Sequence, residues 1–194
     1  MTGFLYLMIF IVAPSGAKSA TAVNMSITLA CDVGVALLLY ELLRPVSRPI
    51  AILAALFRLA FVVAMALNAL SFFGILNLMV HDSRSSSTFD MGYGISLIPF
   101  GVHCLLIGLL IYRASFLPKT LGILMAVAGL GYLIFIWPSL GQKLFFPYIV
   151  IPAVLGEGAL TLWLLTMGVN VEKWRQQQAS ASIGKKKNPV PSTM

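Results

Sequence analysis

The sequence predicts an all-α membrane protein, a polytopic bundle of six transmembrane helices whose N- and C-termini both lie in the cytoplasm. Composition is the first reason, because 59% of the 194 residues are hydrophobic and 10% are charged, whereas soluble domains have roughly 45–50% apolar and about 25% charged residues. The apolar residues also fall into long runs, and a transmembrane helix needs about 20 residues. No run alternates with a period of two, so a transmembrane β-barrel is not supported.

The first apolar run, residues 3–13, is short for a transmembrane helix. It allows two interpretations: an abbreviated first helix, or the hydrophobic segment of a signal peptide followed by "SGAKSA". A signal peptide begins with basic residues, and none precedes this run. We therefore favour the helix. The bundle has five transmembrane helices instead of six if residues 1–20 are cleaved.

Five longer runs follow, separated by short segments with proline or polar residues. The run from 50 to 80 is longer than a bilayer requires, so its helix is expected to tilt or to end near Gly74. The five runs predict transmembrane helices at residues 23–43, 50–80, 91–112, 120–138 and 148–169.

Basic residues give the orientation, because Lys and Arg are enriched in cytoplasmic loops. With the C-terminus in the cytoplasm, nine basic residues lie inside, three lie outside and Arg58 is within a helix. The opposite orientation reverses this balance. The inner residues are Arg44, Arg48, Arg113, Lys119, Lys173, Arg175, Lys185, Lys186 and Lys187, and the outer residues are Lys18, Arg84 and Lys143.

The polar end of the chain divides it into a transmembrane domain, residues 1–175, and a disordered basic cytoplasmic tail, residues 176–194. The tail has too few apolar residues to form a core. Its lysines at 185–187 either contact anionic lipid headgroups or only retain the tail inside the cell, and we favour the second. The net charge of +7 does not indicate nucleic-acid binding, because no basic stripe is interleaved with aromatic residues. The expected partner is the lipid bilayer. The sequence does not decide whether the chain also forms a homo-oligomer or binds another membrane protein.

The sequence contains no familiar pattern for catalysis or metal binding. Cys31 and Cys104 both lie inside apolar runs, as small packing residues do, and they do not form a disulfide framework. The two histidines and two cysteines lack zinc-site spacing. Nucleophile-elbow, metalloprotease and phosphate-loop motifs are absent. We therefore predict no catalytic residue, no metal and no cofactor.

Four ionisable residues inside the apolar runs form a candidate intramembrane polar cluster: Asp32, Arg58, His103 and Glu157. Such residues are costly in a bilayer, so each is a candidate functional residue. At 1.5 Å per helical residue, Asp32 and Glu157 lie roughly 18 Å from the inner boundary, His103 roughly 15 Å and Arg58 roughly 13 Å. The four side chains are therefore expected near one level of the membrane.

The connection between the second and third runs predicts one pair within this cluster. Six residues join these helices, which must then be antiparallel neighbours, so Asp32 and Arg58 can form an ion pair, bidentate if their faces agree. Glu157 has no such forced partner. It pairs with His103, or pairs with Arg58, or is protonated, because removal from water favours the neutral form of a carboxyl group.

The patterns "YR-x-x-FLP-x-x-LG" and "GE-x-x-L-x-LWLL", together with "DVGVALLLYELLRPVSRPIAILAALFRLA", resemble the prokaryotic membrane family called domain of unknown function 4386. The resemblance covers the second to the sixth predicted helix. It implies a polytopic inner-membrane protein and no assigned activity. It also implies that Asp32, Arg58, His103 and Glu157 occupy recurrent polar positions. Phe61 stands where members often carry an acid, and the N-terminal segment is shorter than usual.

Three functional hypotheses follow. The first, which we favour, is a non-enzymatic component of the cell inner membrane, an accessory, sensor or scaffold with a buried polar network. The second is a small proton- or ion-coupled transporter with Glu157 as its titrating group. The third is an intramembrane enzyme in which His103 and Glu157 act as acid and base on a lipid-like substrate.

Overall fold

A computed structural model describes residues 2–12, 21–73 and 86–187, and within these ranges the chain is helical and contains no β-strand. The predicted all-α class is thus confirmed. Eight α-helices are described: α1 (Thr2–Val12), α2 (Ala22–Leu43), α3 (Arg48–Phe72), α4 (Ser86–Arg113), α5 (Lys119–Leu133), α6 (Pro138–Leu144), α7 (Val150–Thr166) and α8 (Val171–Lys187).

Five helical segments in the described residues are long and apolar enough to cross a membrane. Three of them are α2, α3 and most of α4, each with 22 or 25 residues. The fourth joins α5 to a 3₁₀ turn, Ile134–Ile136, and the fifth joins α6, an irregular turn and α7 into 29 residues. The 11 residues of α1 are fewer than the roughly 20 that a bilayer requires. The chain is therefore a multi-pass membrane protein.

Local chemistry explains where several helices begin and end. Thr21 caps α2, because its hydroxyl accepts from the backbone N–H of Asn24 at 3.3 Å while the Asn24 side chain accepts from the Thr21 N–H at 2.8 Å. Proline in the first turn of α3 costs no intrahelical hydrogen bond. Gly168 has a φ of 65° and donates to the carbonyl of Trp163, which ends α7.

The helices pack in a ring in the order α1, α2, α3, α4, α5 and α7, with α7 returning to α1. Small residues let α4 and α5 approach closely. A Cβ atom at Gly101 would meet the backbone carbonyl oxygen of Gly129, and one at Gly108 would meet that of Gly122. Glycine is thus required at this interface, a common arrangement between membrane helices.

The outer surface of the ring carries large apolar side chains. On α3, Leu56, Val63 and Leu67 are each at least half exposed, and the same holds for Val154, Leu155 and Leu162 on α7. A continuous surface of this kind is unfavourable in water and suits contact with acyl chains. The exposed faces therefore agree with the membrane assignment that composition predicts.

The end of the chain differs from the predicted disordered tail, because residues 176–187 form the second part of α8. Trp174 donates from its indole nitrogen to the carbonyl of Leu42 at 2.9 Å, and Gln177 accepts from Ser115 between α4 and α5. Glu, Gln, Lys, Arg and Ala favour helix even without a buried face. Residues 188–194, the end of the expected tail, lie outside the described residues.

Candidate functional site

Arg58 is the centre of a buried hydrogen-bonded network that joins four helices. Its side chain projects from the middle of α3 and is 1% exposed. Its Nε and Nη2 atoms donate to the same carboxylate oxygen of Asp32 on α2, at 3.1 and 2.5 Å. Its Nη1 atom donates to the hydroxyl oxygen of Tyr6 on α1 at 2.8 Å and lies 3.1 Å from Nε2 of His103 on α4. We call Tyr6, Asp32, Arg58 and His103 the Arg58 network.

The guanidinium group of Arg58 is well compensated in this network. Four of its N–H groups point at partners, out of five that an arginine has. Its Cζ atom also lies 4.9 Å from the centre of the Tyr6 ring and 5.1 Å from that of Phe100, and aromatic faces attract cations. The two donors to Asp32 converge on one oxygen, so the pair forms without the expected bidentate geometry.

The partners of His103 determine which of its nitrogens carries the proton. Its Nδ1 atom lies 2.8 Å from the backbone carbonyl oxygen of Ala54, which can only accept a hydrogen bond. Its Nε2 atom faces the guanidinium of Arg58, which can only donate. Both contacts are satisfied when the imidazole is neutral with its proton on Nδ1. The lone pair of Nε2 is then occupied by Arg58.

Glu157 on α7 has a partner outside the Arg58 network. The hydroxyl of Tyr132 on α5 donates to Oε1 of Glu157 at 2.6 Å. The buried ion pair Asp32–Arg58 and the surface pair Glu41–Arg44 do not involve Glu157. Neither pairing that the sequence suggested for Glu157 is present: four of the five N–H groups of Arg58 and both ring nitrogens of His103 have other partners. Protonation of Glu157 stays a prediction.

A cavity of about 310 Å³ is lined both by residues of the Arg58 network and by Glu157. It is partly open and mostly apolar, and all six helices of the ring line it. The lining residues lie in the first halves or the middle of α2, α4 and α7 and in the middle or later parts of α1, α3 and α5. Asp32 and Arg58 of the network reach its wall, and so does Glu157 from α7, whereas His103 does not. Its polar lining residues are Thr28, Asp32, Arg58, Tyr93, Tyr132 and Glu157.

The charges around the cavity do not cancel if Glu157 is ionised. The wall then has one positive residue, Arg58, and two negative ones, Asp32 and Glu157, which gives +1 − 2 = −1. Arg58 and Asp32 neutralise each other directly. Glu157, with 9% of its surface exposed, has a neutral hydroxyl group as its hydrogen-bond donor. Any excess charge in the cavity is therefore the charge of Glu157.

Two residues of the site, Tyr6 and Tyr132, were missed in the sequence. Each is the polar partner of an ionisable residue, although both lie in runs that count as apolar. The signal was present in the residue type, because a hydroxyl group in hydrocarbon needs a hydrogen-bond partner. Within the described residues, no three His, Cys, Asp or Glu side chains are grouped closely enough to hold a metal ion.

Comparison with known proteins places the chain in a family. Residues 15–168 match the family described as domain of unknown function (DUF4386). An uncharacterized protein of Archaeoglobus fulgidus is 35% identical over 147 residues, which cover 75% of this chain and 82% of that protein. No solved structure matches. The family match spans most of the chain, and the chain therefore belongs to the DUF4386 family.

Proposed function

We propose that this protein is a non-enzymatic component of the prokaryotic inner (plasma) membrane, an accessory, sensor or scaffold in which the Arg58 network fixes the arrangement of the helices. One observation carries the proposal: the buried guanidinium of Arg58 contacts a side chain from each of three other helices, α1, α2 and α4. A charge held in this way resists separation of the helices, because separation leaves it without partners in an apolar environment.

Replacement of Arg58 by methionine tests this role. The variant leaves the carboxylate of Asp32 buried without a cation, and breaking a buried pair in this way costs roughly 3–5 kcal/mol. The thermal unfolding of the purified protein should therefore shift to a markedly lower temperature. Arg44→Met is the matched control, since its partner Glu41 is largely exposed and exposed pairs contribute about 0–1 kcal/mol. Equal stability of Arg58→Met and the parent protein would refute the structural role of the Arg58 network.

The proposal includes six membrane crossings with both termini in the cytoplasm. The contacts of α1 with α2 and α7 support its inclusion in the bundle, and the excess of basic residues at one end supports the orientation. Single cysteines can test it in a variant without Cys31 and Cys104. A membrane-impermeant thiol reagent added to intact cells should label Gln142→Cys, before α7, and should label Ser115→Cys, between α4 and α5, only after permeabilisation. The reverse pattern would overturn the orientation.

The second candidate function is a small proton- or ion-coupled transporter. The observation that favours it is the cavity that reaches Glu157. The same geometry gives no support to the intramembrane enzyme with His103 as acid or base, because His103 is completely buried, does not line the cavity and has both ring nitrogens engaged. Uptake of ²²Na⁺ or of protons into proteoliposomes, with Glu157→Gln as the comparison, tests the transporter.

A further inference from the structure

We propose that the cavity is a binding site for a small hydrophobic ammonium ion, whose charged group is held by Glu157 and whose apolar part fills the space between α2 and α7. The inference goes beyond the structural role of the Arg58 network and does not depend on that role. It requires only a folded bundle with this cavity. Its basis is the size of the cavity, the nature of its walls, and the position of one carboxyl group without an ion-pair partner in the described chain.

The size and composition of the cavity are those of a ligand site. Its volume of about 310 Å³ is at the lower end of the range of roughly 300–1,000 Å³ for small-molecule pockets. Its walls are mostly apolar, and a few polar groups converge in it. Such a site favours a small molecule with one polar end, because the apolar walls cannot solvate a molecule that is polar throughout.

The charge of the ligand follows from the wall. An anion would compete with Asp32 for Arg58, and displacement of Asp32 would leave a buried carboxylate without its cation. A cation disturbs no existing ion pair, because the carboxyl group of Glu157 accepts from the neutral hydroxyl of Tyr132. An ammonium group can donate charge-assisted hydrogen bonds to that carboxylate. The cavity therefore favours a cation.

Aromatic rings add to this preference. Tyr93, Tyr132 and Phe145 line the cavity together with Glu157. The faces of such rings attract cations, by about 0.5–1 kcal/mol at exposed sites and about 2 kcal/mol or more when water is excluded. Phe100 already faces the Arg58 guanidinium, and Phe61, which also lines the cavity, packs against Phe100. Tyr93, Tyr132 and Phe145 are therefore the lining rings that can serve a ligand.

Exposed apolar residues of α7 suit an approach from the membrane. Val154 lines the cavity and is half exposed. Neighbouring Ile151 and Leu155 on α7 are exposed as well. A hydrophobic ammonium ion partitions into a bilayer with its charge near the headgroups, so it can approach this face of α7 from the membrane.

Three probes of similar shape test the proposal: 2-phenylethylamine, which is a cation at neutral pH, 2-phenylethanol, which is neutral, and 3-phenylpropionate, which is an anion. Binding to the purified full-length protein in lipid nanodiscs is measured by isothermal titration calorimetry. We expect saturable binding of the amine, with a dissociation constant at least tenfold lower than those of the other two probes. Equal binding of the three probes, or no saturable binding of the amine, would overturn the proposal.

Variants locate the site and guard against loss of folding. Glu157→Gln should raise the dissociation constant for the amine at least tenfold, whereas Glu41→Gln, the same change on the surface of α2, should leave it unchanged. Ala153→Leu adds volume to the cavity wall and should also abolish binding, while Gly158→Ala, where an added Cβ meets no atom within 4 Å, should not. Thermal unfolding of each variant shows whether it is folded. Amine binding that survives both Glu157→Gln and Ala153→Leu would contradict the site.

Discussion

Two ionisable residues line the cavity and differ in their partners: Arg58 has an ion-pair partner, and Glu157 has a neutral one. On the side of α1 to α4, Arg58 contacts an opposite charge, a hydroxyl group and an imidazole, and aromatic rings cover its faces. On the side of α5 and α7, Glu157 has the neutral hydroxyl of Tyr132 and faces the cavity. A compensated charge holds helices together, whereas a carboxyl group without an ion-pair partner is available to a ligand. The first side is thus suited to stability and the second to binding.

The largest effect within the network is expected for Asp32→Asn, which leaves the charge of Arg58 buried without a counter-charge. The loss in the free energy of unfolding should approach the roughly 3–5 kcal/mol of a broken buried pair. Combining it with Arg58→Met removes both charges, so the double variant should lose less stability than the sum of the two single variants. Reversible unfolding in mixed micelles measures the three values. Simple additivity would show that the two residues do not act as a pair.

A smaller loss is expected for His103→Phe, which keeps an aromatic ring but removes both hydrogen bonds. One N–H of Arg58 then lacks a partner, and the carbonyl of Ala54 keeps only its hydrogen bond within α3, which should cost about 1–3 kcal/mol. His103→Gln can still donate to Ala54 and accept from Arg58, so it should retain more stability than His103→Phe. Thermal unfolding compares them. The assigned tautomer would be contradicted if glutamine gave no advantage over phenylalanine.

The smallest effects come from removing single hydroxyl groups, and they compare the two sides of the cavity directly. Tyr6→Phe removes an acceptor from a buried cation and should cost about 1 kcal/mol or more. Tyr132→Phe removes a donor from Glu157, which faces the cavity and can be hydrated there, so its cost should be lower. The unfolding temperatures of the two variants give the comparison. A larger loss for Tyr132→Phe would assign the structural role to the Glu157 side.

Parts of this site could be predicted from the sequence. The short connection between α2 and α3 makes them antiparallel neighbours, and this was enough to predict the contact between Asp32 and Arg58. The contact between Glu157 and Tyr132 could not be predicted in the same way. It depends on how α7 packs against α5. The segment that connects them contains the short helix α6 and an irregular turn, Phe145–Ile149, and the length of this segment does not determine the packing.

The helices, too, could be predicted from the sequence only in part. Apolar runs predicted the long helices well, because hydrophobicity over about 20 residues is a strong signal. Thus α3 ends at Phe72, close to the predicted end near Gly74. Local polarity was a weaker guide at the end of the chain, where residues 176–187 are helical although the side chains at 176–181 are mostly exposed. Their helix-favouring side chains explain this, and a composition argument for disorder overlooks helix propensity.

The most direct test of the account is the thermal stability of Glu157→Gln measured beside that of Arg58→Met. Glutamine keeps an oxygen that can accept from Tyr132, and no ion pair is lost, so Glu157→Gln should unfold within a few degrees of the parent protein. Arg58→Met should unfold at a much lower temperature, because it breaks a buried ion pair. Equal losses in the two variants, or a greater loss in Glu157→Gln, would contradict the division of the cavity into a stabilising side and a binding side.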